Sequence, residues 1–309
     1  MKHSYLTLFL LLTLGLFSCR KDENDIDIKT YDQQQIDAYI KANGLTNMKR
    51  DMTNGDTTGI YYEILGQGTG DANLLKYETP ISLVYSLKSL SGKYISSDTI
   101  LNHSYNFVGR LTPPGLMMAV YNLAKYKGTR ARFLIPSRLA YGRTGSGTGS
   151  TRLVGNESLD YYVNIINNQE QYDDFVIQKY IAANNLTGYT RSNTGLWYKV
   201  ITPGTGTVPI VPTSTVNVTY TGRLINSTHL NGNIFDQYTD AAGLAFAVDA
   251  VIPGWTEALQ KVTQGATLSL IIPSKLGYGV NSQSNQSNVV TIPANSILQF
   301  EMSVVTVTN

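Results

Sequence analysis

The residues able to do chemistry in this chain are mostly aromatic. Three histidines, His3, His103 and His229, lie far apart, and Cys19 is the single cysteine. That scarcity excludes a Cys/His metal site and an intrachain disulfide, and no Ser/His/Asp or Cys/His constellation is visible. The stretch that stands out is Val251-Ile252-Pro253-Gly254-Trp255, where a β-branched segment meets a Pro-Gly break followed by one of two tryptophans. Residues Trp255 to Val262 read as two helical turns closed by Gly265. A tryptophan in the first turn of a short helix, behind a strand, is placed to floor a pocket. The plain alternative is a core tryptophan.

The neighbours favour the pocket. Upstream stand Val216, Val218, Tyr220, Gly222 and Leu224 in alternation, then Phe235-Asp236, then Phe246 and Val248. Downstream come Ile272-Pro273-Ser274, Leu276-Gly277-Tyr278-Gly279, Ile292-Pro293, and Leu298 with Phe300. In that order and at those spacings the series resembles the FKBP family of macrolide-binding peptidyl-prolyl isomerases, over residues 195–309. The resemblance implies a site residue by residue. Tyr220, Phe235, Phe246, Trp255 and Phe300 would be the walls and floor of a proline pocket. Val251 and Ile252 would border it, with the Ile252 N–H anchoring a substrate carbonyl. Tyr278 would offer its hydroxyl to the peptide, Asp236 would be the carboxylate beside the twisted amide, and Ile292 would come from a loop over the pocket.

These residue types suit the reaction that the resemblance implies. Rotation about an X–Pro bond meets a barrier of about 18–20 kcal/mol because it breaks amide resonance. The planar amide carries charge separation that water stabilises, and the twisted state carries less. An apolar aromatic pocket therefore favours the twisted state by withholding water, while a few donors hold the flanking carbonyls. No nucleophile, metal or cofactor is called for. The implied partners are proline-containing unfolded or exported polypeptides, with macrolides as a further ligand class.

The second copy departs from the family pattern in places. An arginine that often follows the Phe-Asp pair is missing from Gln237 to Gly243, so Asp236 lacks that partner. Leu244 stands where an aromatic is common. The stretches between Gly222 and Phe235 and between Tyr278 and Ile292 are long, the latter polar through Asn281 to Asn288. Both border the pocket mouth.

The elements that must position these residues occur twice. Tyr31-Asp32 through Leu45 matches Tyr172-Asp173 through Leu186 at an offset of 141, and each copy reads as a helix of three turns. Gly59-Ile60-Tyr61-Tyr62 matches Gly195-Leu196-Trp197-Tyr198 at 136, and Ile135-Pro136-Ser137 with Tyr141-Gly142 matches Ile272-Pro273-Ser274 with Tyr278-Gly279 at 137. A period this long is a tandem domain duplication, not a solenoid. Thr215 to Leu224, Ala266 to Ile272 and Leu298 to Thr308 alternate or run apolar, as strands of an antiparallel sheet do. The fold class expected is α+β: two tandem FKBP-like domains, each an antiparallel sheet wrapped around a short helix, with an extra N-terminal helix per copy.

The first copy is degenerate. Tyr85, Tyr141 and Tyr161 keep step with Tyr220, Tyr278 and Phe300. The Phe-Asp pair falls near Ile95-Ser96, and the Pro-Gly-Trp segment becomes Thr112-Pro113-Pro114-Gly115-Leu116. This copy is expected to be structural or to bind chains without turning them over.

At the start, Lys2 precedes the apolar run Tyr5 to Phe17, and Leu16-Phe17-Ser18-Cys19 resembles a bacterial lipobox. Thirteen apolar residues suit a signal peptide and fall short of a membrane span. The resemblance makes Cys19 the lipidated residue of an envelope protein anchored to a membrane, the outer membrane being favoured. The charged residues after it look like a tether. The expected organisation is a signal peptide over 1–19, a tether over 20–30, a degenerate domain over 31–168 and an isomerase domain over 169–309. Apolar content of 42%, charge of 15% and a net charge of +2 are those of a globular protein without an electrostatic case for nucleic acid. The function expected is peptidyl-prolyl isomerisation that assists the folding of exported or outer-membrane proteins. The alternatives are a non-catalytic chaperone and a structural accessory of an envelope complex.

Overall fold

The computed structural model describes residues 26–53, 55–99, 102–149, 152–225 and 234–309. The apolar leader, Cys19, the first part of the tether and residues 226–233 lie outside them. Among the described residues no helix is long and apolar enough to cross a membrane.

The first half runs α1 (Ile28–Ala42), β1 (Lys49–Arg50), β2 (Tyr61–Gly66), β3 (Pro80–Ser89), β4 (Ile95–Ser96), β5 (His103–Phe107), α2 (Pro114–Ala119), β6 (Arg130–Ile135) and β7 (Leu159–Ile166). The second half runs α3 (Gln169–Ala183), β8 (Thr190–Arg191), β9 (Trp197–Thr202), β10 (Thr215–Leu224), β11 (Ile234–Tyr238), β12 (Leu244–Ala247), α4 (Pro253–Leu259), β13 (Thr267–Ile272), β14 (Gln283–Ser284), β15 (Val290–Ile292) and β16 (Leu298–Thr308). The first sheet has the order β1-β2-β6-β7-β3-β4, with β5 also on β3. The second repeats that path as β8-β9-β13-β16-β10-β11, with β12 also on β10. All these pairings are antiparallel. The chain is thus two FKBP-like sheets in tandem, each with its own leading helix. A small hairpin, β14 with β15, accompanies the second sheet, and the first has a bridge, Ser146 with Leu153, at the matching place.

Period-two patterning builds each core. On β10 the alternate residues Val216, Val218, Tyr220, Gly222 and Leu224 face inward and are buried. The short helix lies across that face: α4 buries Trp255, Ala258 and Leu259, and α2 buries Leu116 and Ala119. Close approach of helix to strand requires glycine at the second helical position. A Cβ on Gly254 would sit 2.6 Å from Ile272 Cγ2, and one on Gly115 would overlap Ile135 Cγ2.

Element bounds differ from expectation for local reasons. Helix α4 begins at Pro253, two residues before Trp255, because proline suits the first helical position, where no N–H partner is required. It ends at Leu259, short of the expected Val262. Helices α1 and α3 have 15 residues each, four turns in place of three. The Asp27 carboxylate accepts from the Lys29 and Thr30 N–H groups at 2.9 and 3.3 Å, so α1 starts inside the stretch expected to be tether. The polar segment after Tyr278 contains the β14–β15 hairpin, and Ile292 ends its second strand, buried at 4% exposure.

Each leading helix is clasped to its own sheet by a buried aspartate. Ser137 Oγ donates to Asp32 at 2.6 Å, and Ser274 Oγ and N–H donate to Asp173 at 2.6 and 2.8 Å. Both carboxylates are 1% exposed. These donors are what make a buried carboxylate tolerable. Burial nonetheless pushes the Asp173 carboxyl above its ordinary value.

Candidate active site

Strand β10 is flanked by β16 on one side and by β11 and β12 on the other, and these four strands supply the walls of the site. Gly222 lies opposite Asp236 on β11 and opposite Phe300 on β16, while Val216 lies opposite Phe246 on β12. Helix α4 brings Trp255 up from beneath. Its ring meets Tyr220 at 5.1 Å, Phe300 at 5.1 Å and Phe246 at 5.6 Å, each edge to face. Phe235 meets Phe300 edge-on at 5.6 Å. Trp255 is 4% exposed, so the three rings that meet it stand around a floor rather than a surface ring. Edge-to-face packing holds each ring in one orientation. The five aromatic residues named from sequence therefore form one nest.

The remaining apolar residues named from sequence belong to the same hydrophobic cluster: Val251, Ile252 and Tyr278 are half-buried against it, and buried Ile292 joins it from the hairpin. Ile252 caps α4, where its carbonyl accepts from the Trp255 and Thr256 N–H groups at 2.9 and 3.2 Å. Its own N–H lies outside the helical ladder.

Two features of the site were not legible in the sequence. Tyr220 Oη donates to Asp236 Oδ2 at 2.7 Å. The carboxylate that lacks an arginine is therefore held by a phenol from the neighbouring strand. Burial and then the hydrogen bond to that carboxylate push the Tyr220 hydroxyl far above its ordinary value. Burial and the same charge push Tyr278 upward as well, so both phenols stay protonated donors. The second feature is Gly222. A Cβ there would sit 2.6 Å from Phe300 Cε1 and 2.7 Å from Phe235 Cζ. Only glycine lets both rings close over that point of the strand. A glycine inside a buried strand is the signal that could have revealed it.

Strand register locates the corresponding positions in the first half. Tyr161 faces Leu87 as Phe300 faces Gly222, and Ser96 faces Leu87 as Asp236 faces Gly222. Asn106 faces Ile81 where Phe246 faces Val216. Leu116 follows the Pro-Gly pair in place of Trp255. Leu87 is buried at the strand position where the second half has Gly222. Tyr85 and Tyr161 remain, 5.8 Å apart.

Comparison with known proteins agrees with this geometry. Residues 206–305 match the family model described as FKBP-type peptidyl-prolyl cis-trans isomerase. The chain is 40% identical over 121 residues to the FKBP-type peptidyl-prolyl cis-trans isomerase FkpA of Escherichia coli, covering 39% of this chain and 40% of that protein. It is 47% identical over 90 residues to the outer membrane protein MIP of Legionella longbeachae, covering 28% of this chain and 36% of that one. The crystal structure of FkpA from Escherichia coli is similar with a TM-score of 0.36 and 35% sequence identity, over 45% of this chain and 59% of that chain. The chain thus spans about two-fifths of the length of the first curated relative. Over residues 206–305 the chain is therefore similar to the FKBP-type peptidyl-prolyl cis-trans isomerase family.

Proposed function

We propose that the second domain is a working peptidyl-prolyl isomerase and that the first is not. The observation that carries this reading is the ring nest on Trp255, closed over Gly222 by Phe235 and Phe300 in the second domain, where the first has Leu87, Ser96, Asn106 and Leu116 at the matching positions. A proline ring laid on the Trp255 floor is shielded from water by Tyr220, Phe246 and Phe300. Withholding water removes the solvent stabilisation of the planar amide and lowers the barrier to its twisted form. The Ile252 N–H and the Tyr278 hydroxyl hold the carbonyls on either side, so that the prolyl bond alone turns. Asp236, fixed by Tyr220, presents a negative oxygen to the carbonyl carbon of the twisting amide, which has lost resonance donation from nitrogen.

The substrates in this reading are unfolded or exported polypeptides whose slow prolyl steps limit folding. Cys19 carries the lipid that anchors the protein in the cell envelope, a location that fits the similarity to an outer membrane protein. Macrolides would enter the same aromatic nest. The test is a prolyl-isomerase assay of the full chain on peptides that vary the residue before proline. Trp255→Ala should remove most of the activity and Tyr141→Phe none, whereas equal losses would defeat the division of labour. Loss of metabolic lipid labelling in Cys19→Ala tests the anchor.

A further inference from the structure

The turn that carries Tyr278 is tied at both ends to the first domain. Gly277 and Gly279, on either side of Tyr278, donate their N–H groups to the Ser274 carbonyl at 3.0 and 2.8 Å. The Gly279 carbonyl in turn accepts from the Asn295 N–H at 2.7 Å. Asn295 is 3% exposed and left-handed, with φ of 56°. Its Nδ2 donates to Ser82 Oγ, on β3 of the first domain, at 2.9 Å. At the other end Ser274 holds Asp173 through the clasp, and Gln169 Nε2 donates to the second oxygen of that carboxylate at 2.7 Å. The Gln169 side chain is also hydrogen-bonded to His103 of β5. Gln169 Oε1 and His103 Nε2 have no other partner among the described residues.

Ser82 and His103 share one face of the first sheet. His103 lies opposite Val84, two residues from Ser82, whereas Ile81 and Leu83 point into the first core. The first domain thus reaches the turn with the outer face of its sheet and not with its degenerate pocket. Its own turn has the same frame: Gly142 N–H donates to the Ser137 carbonyl at 2.9 Å, and Asn156 N–H to the Gly142 carbonyl at 2.8 Å. There the Asn156 Oδ1 has no hydrogen-bond partner among the described residues. The frame is common to both copies, and the second uses its asparagine to cross to the other domain.

We infer that Ser82 and His103, acting through Asn295 and Gln169, are positioning residues for Tyr278, and that the first domain serves the second as a brace. A hydroxyl that is to hold a substrate carbonyl must be fixed to within a fraction of an ångström, and groups behind it supply that precision. Buried polar ties suit the task, because breaking one leaves its partner unsatisfied. For its kinetic effect the inference rests on the isomerase reading, whereas the placement of Tyr278 does not.

The test uses the full chain with 13C-labelled tyrosine. Ser82→Ala combined with Gln169→Ala should shift the Tyr278 ring resonance and leave that of Tyr141 in place. For a prolyl peptide kcat/KM should fall about tenfold, the loss expected of Tyr278→Phe alone. Ser82→Thr, which keeps the hydroxyl, should retain full activity. In the Tyr278→Phe chain the paired substitutions should cost no more than about twofold further, because residues that act through one group are not additive. An unmoved Tyr278 resonance, or a full tenfold loss on top of Tyr278→Phe, overturns the inference. If the unaltered chain turns over no prolyl peptide, the isomerase reading fails and the Tyr278 resonance alone decides the brace.

Discussion

The two domains share a skeleton and differ at the place where chemistry would occur. Both keep the Pro-Gly start of the crossing helix, the buried Asp–Ser clasp and a tyrosine at the position of Tyr220. Gly222, Asp236, Phe246 and Trp255 are matched by Leu87, Ser96, Asn106 and Leu116. The retained residues hold helices to sheets, and the lost ones make up the aromatic nest on Trp255. Folding and pocket formation thus rest on separable sets of residues within one architecture.

The polar packing under the leading helices diverges too. In the first domain Tyr39 Oη donates to Asp160 at 2.8 Å, and Arg132 forks onto the same carboxylate at 2.9 and 2.7 Å. In the second, Tyr180 Oη donates to neutral Gln299 at 2.8 Å. The acceptor at this joint is a carboxylate in one copy and an amide in the other.

Substitutions that exchange the two characters sharpen the contrast. The largest expected effect is Asp160→Asn, which leaves Arg132 buried without its partner and should lower first-domain stability by about 3–5 kcal/mol. Tyr180→Phe in the second domain should lower stability by only about 1 kcal/mol. Urea unfolding of both variants measures the difference. Acid should act on the first domain through His103, whose folded pKa of about 4 lies below the ordinary 6.5. The unfolded chain then binds the extra proton. Stability from this group is complete above pH 6.5 and is lost as pH falls toward 4, by up to about 3 kcal/mol. His103→Phe should flatten that dependence.

Next comes Gly222→Leu, which writes the first domain's residue into the second. The displaced Phe235 and Phe300 rings should reduce kcat/KM for a prolyl peptide about a hundredfold. Tyr220→Phe frees Asp236 from its hydrogen bond and should reduce kcat/KM about tenfold. If Gly222→Leu is fully active, the exchange of Gly222 for Leu87 does not separate the two domains. The smallest effect is that of Tyr141→Phe, which should leave isomerisation unchanged.

Much of this arrangement is legible in the residues. Alternation alone bounds β10 and β16 where they occur, at Thr215–Leu224 and Leu298–Thr308. The Pro-Gly-Trp segment marks the floor. The clasp is half legible, because Asp32 and Ser137 recur as Asp173 and Ser274, but their contact joins residues far apart in the chain. Gly222 reads as one more strand residue until the rings on both sides are seen. The Tyr220–Asp236 bond depends on strand register and leaves no local pattern.

The clasps also impose an order in time. The bond from Ser137 to Asp32 spans 105 residues, and that from Ser274 to Asp173 spans 101. On a chain emerging N-terminus first, each leading helix appears before the serine that will hold it. It must wait through the appearance of nearly its whole domain, with its buried face uncovered. When α3 emerges, Ser137 has already been made and is available to Asp32, whereas Ser274 has yet to follow.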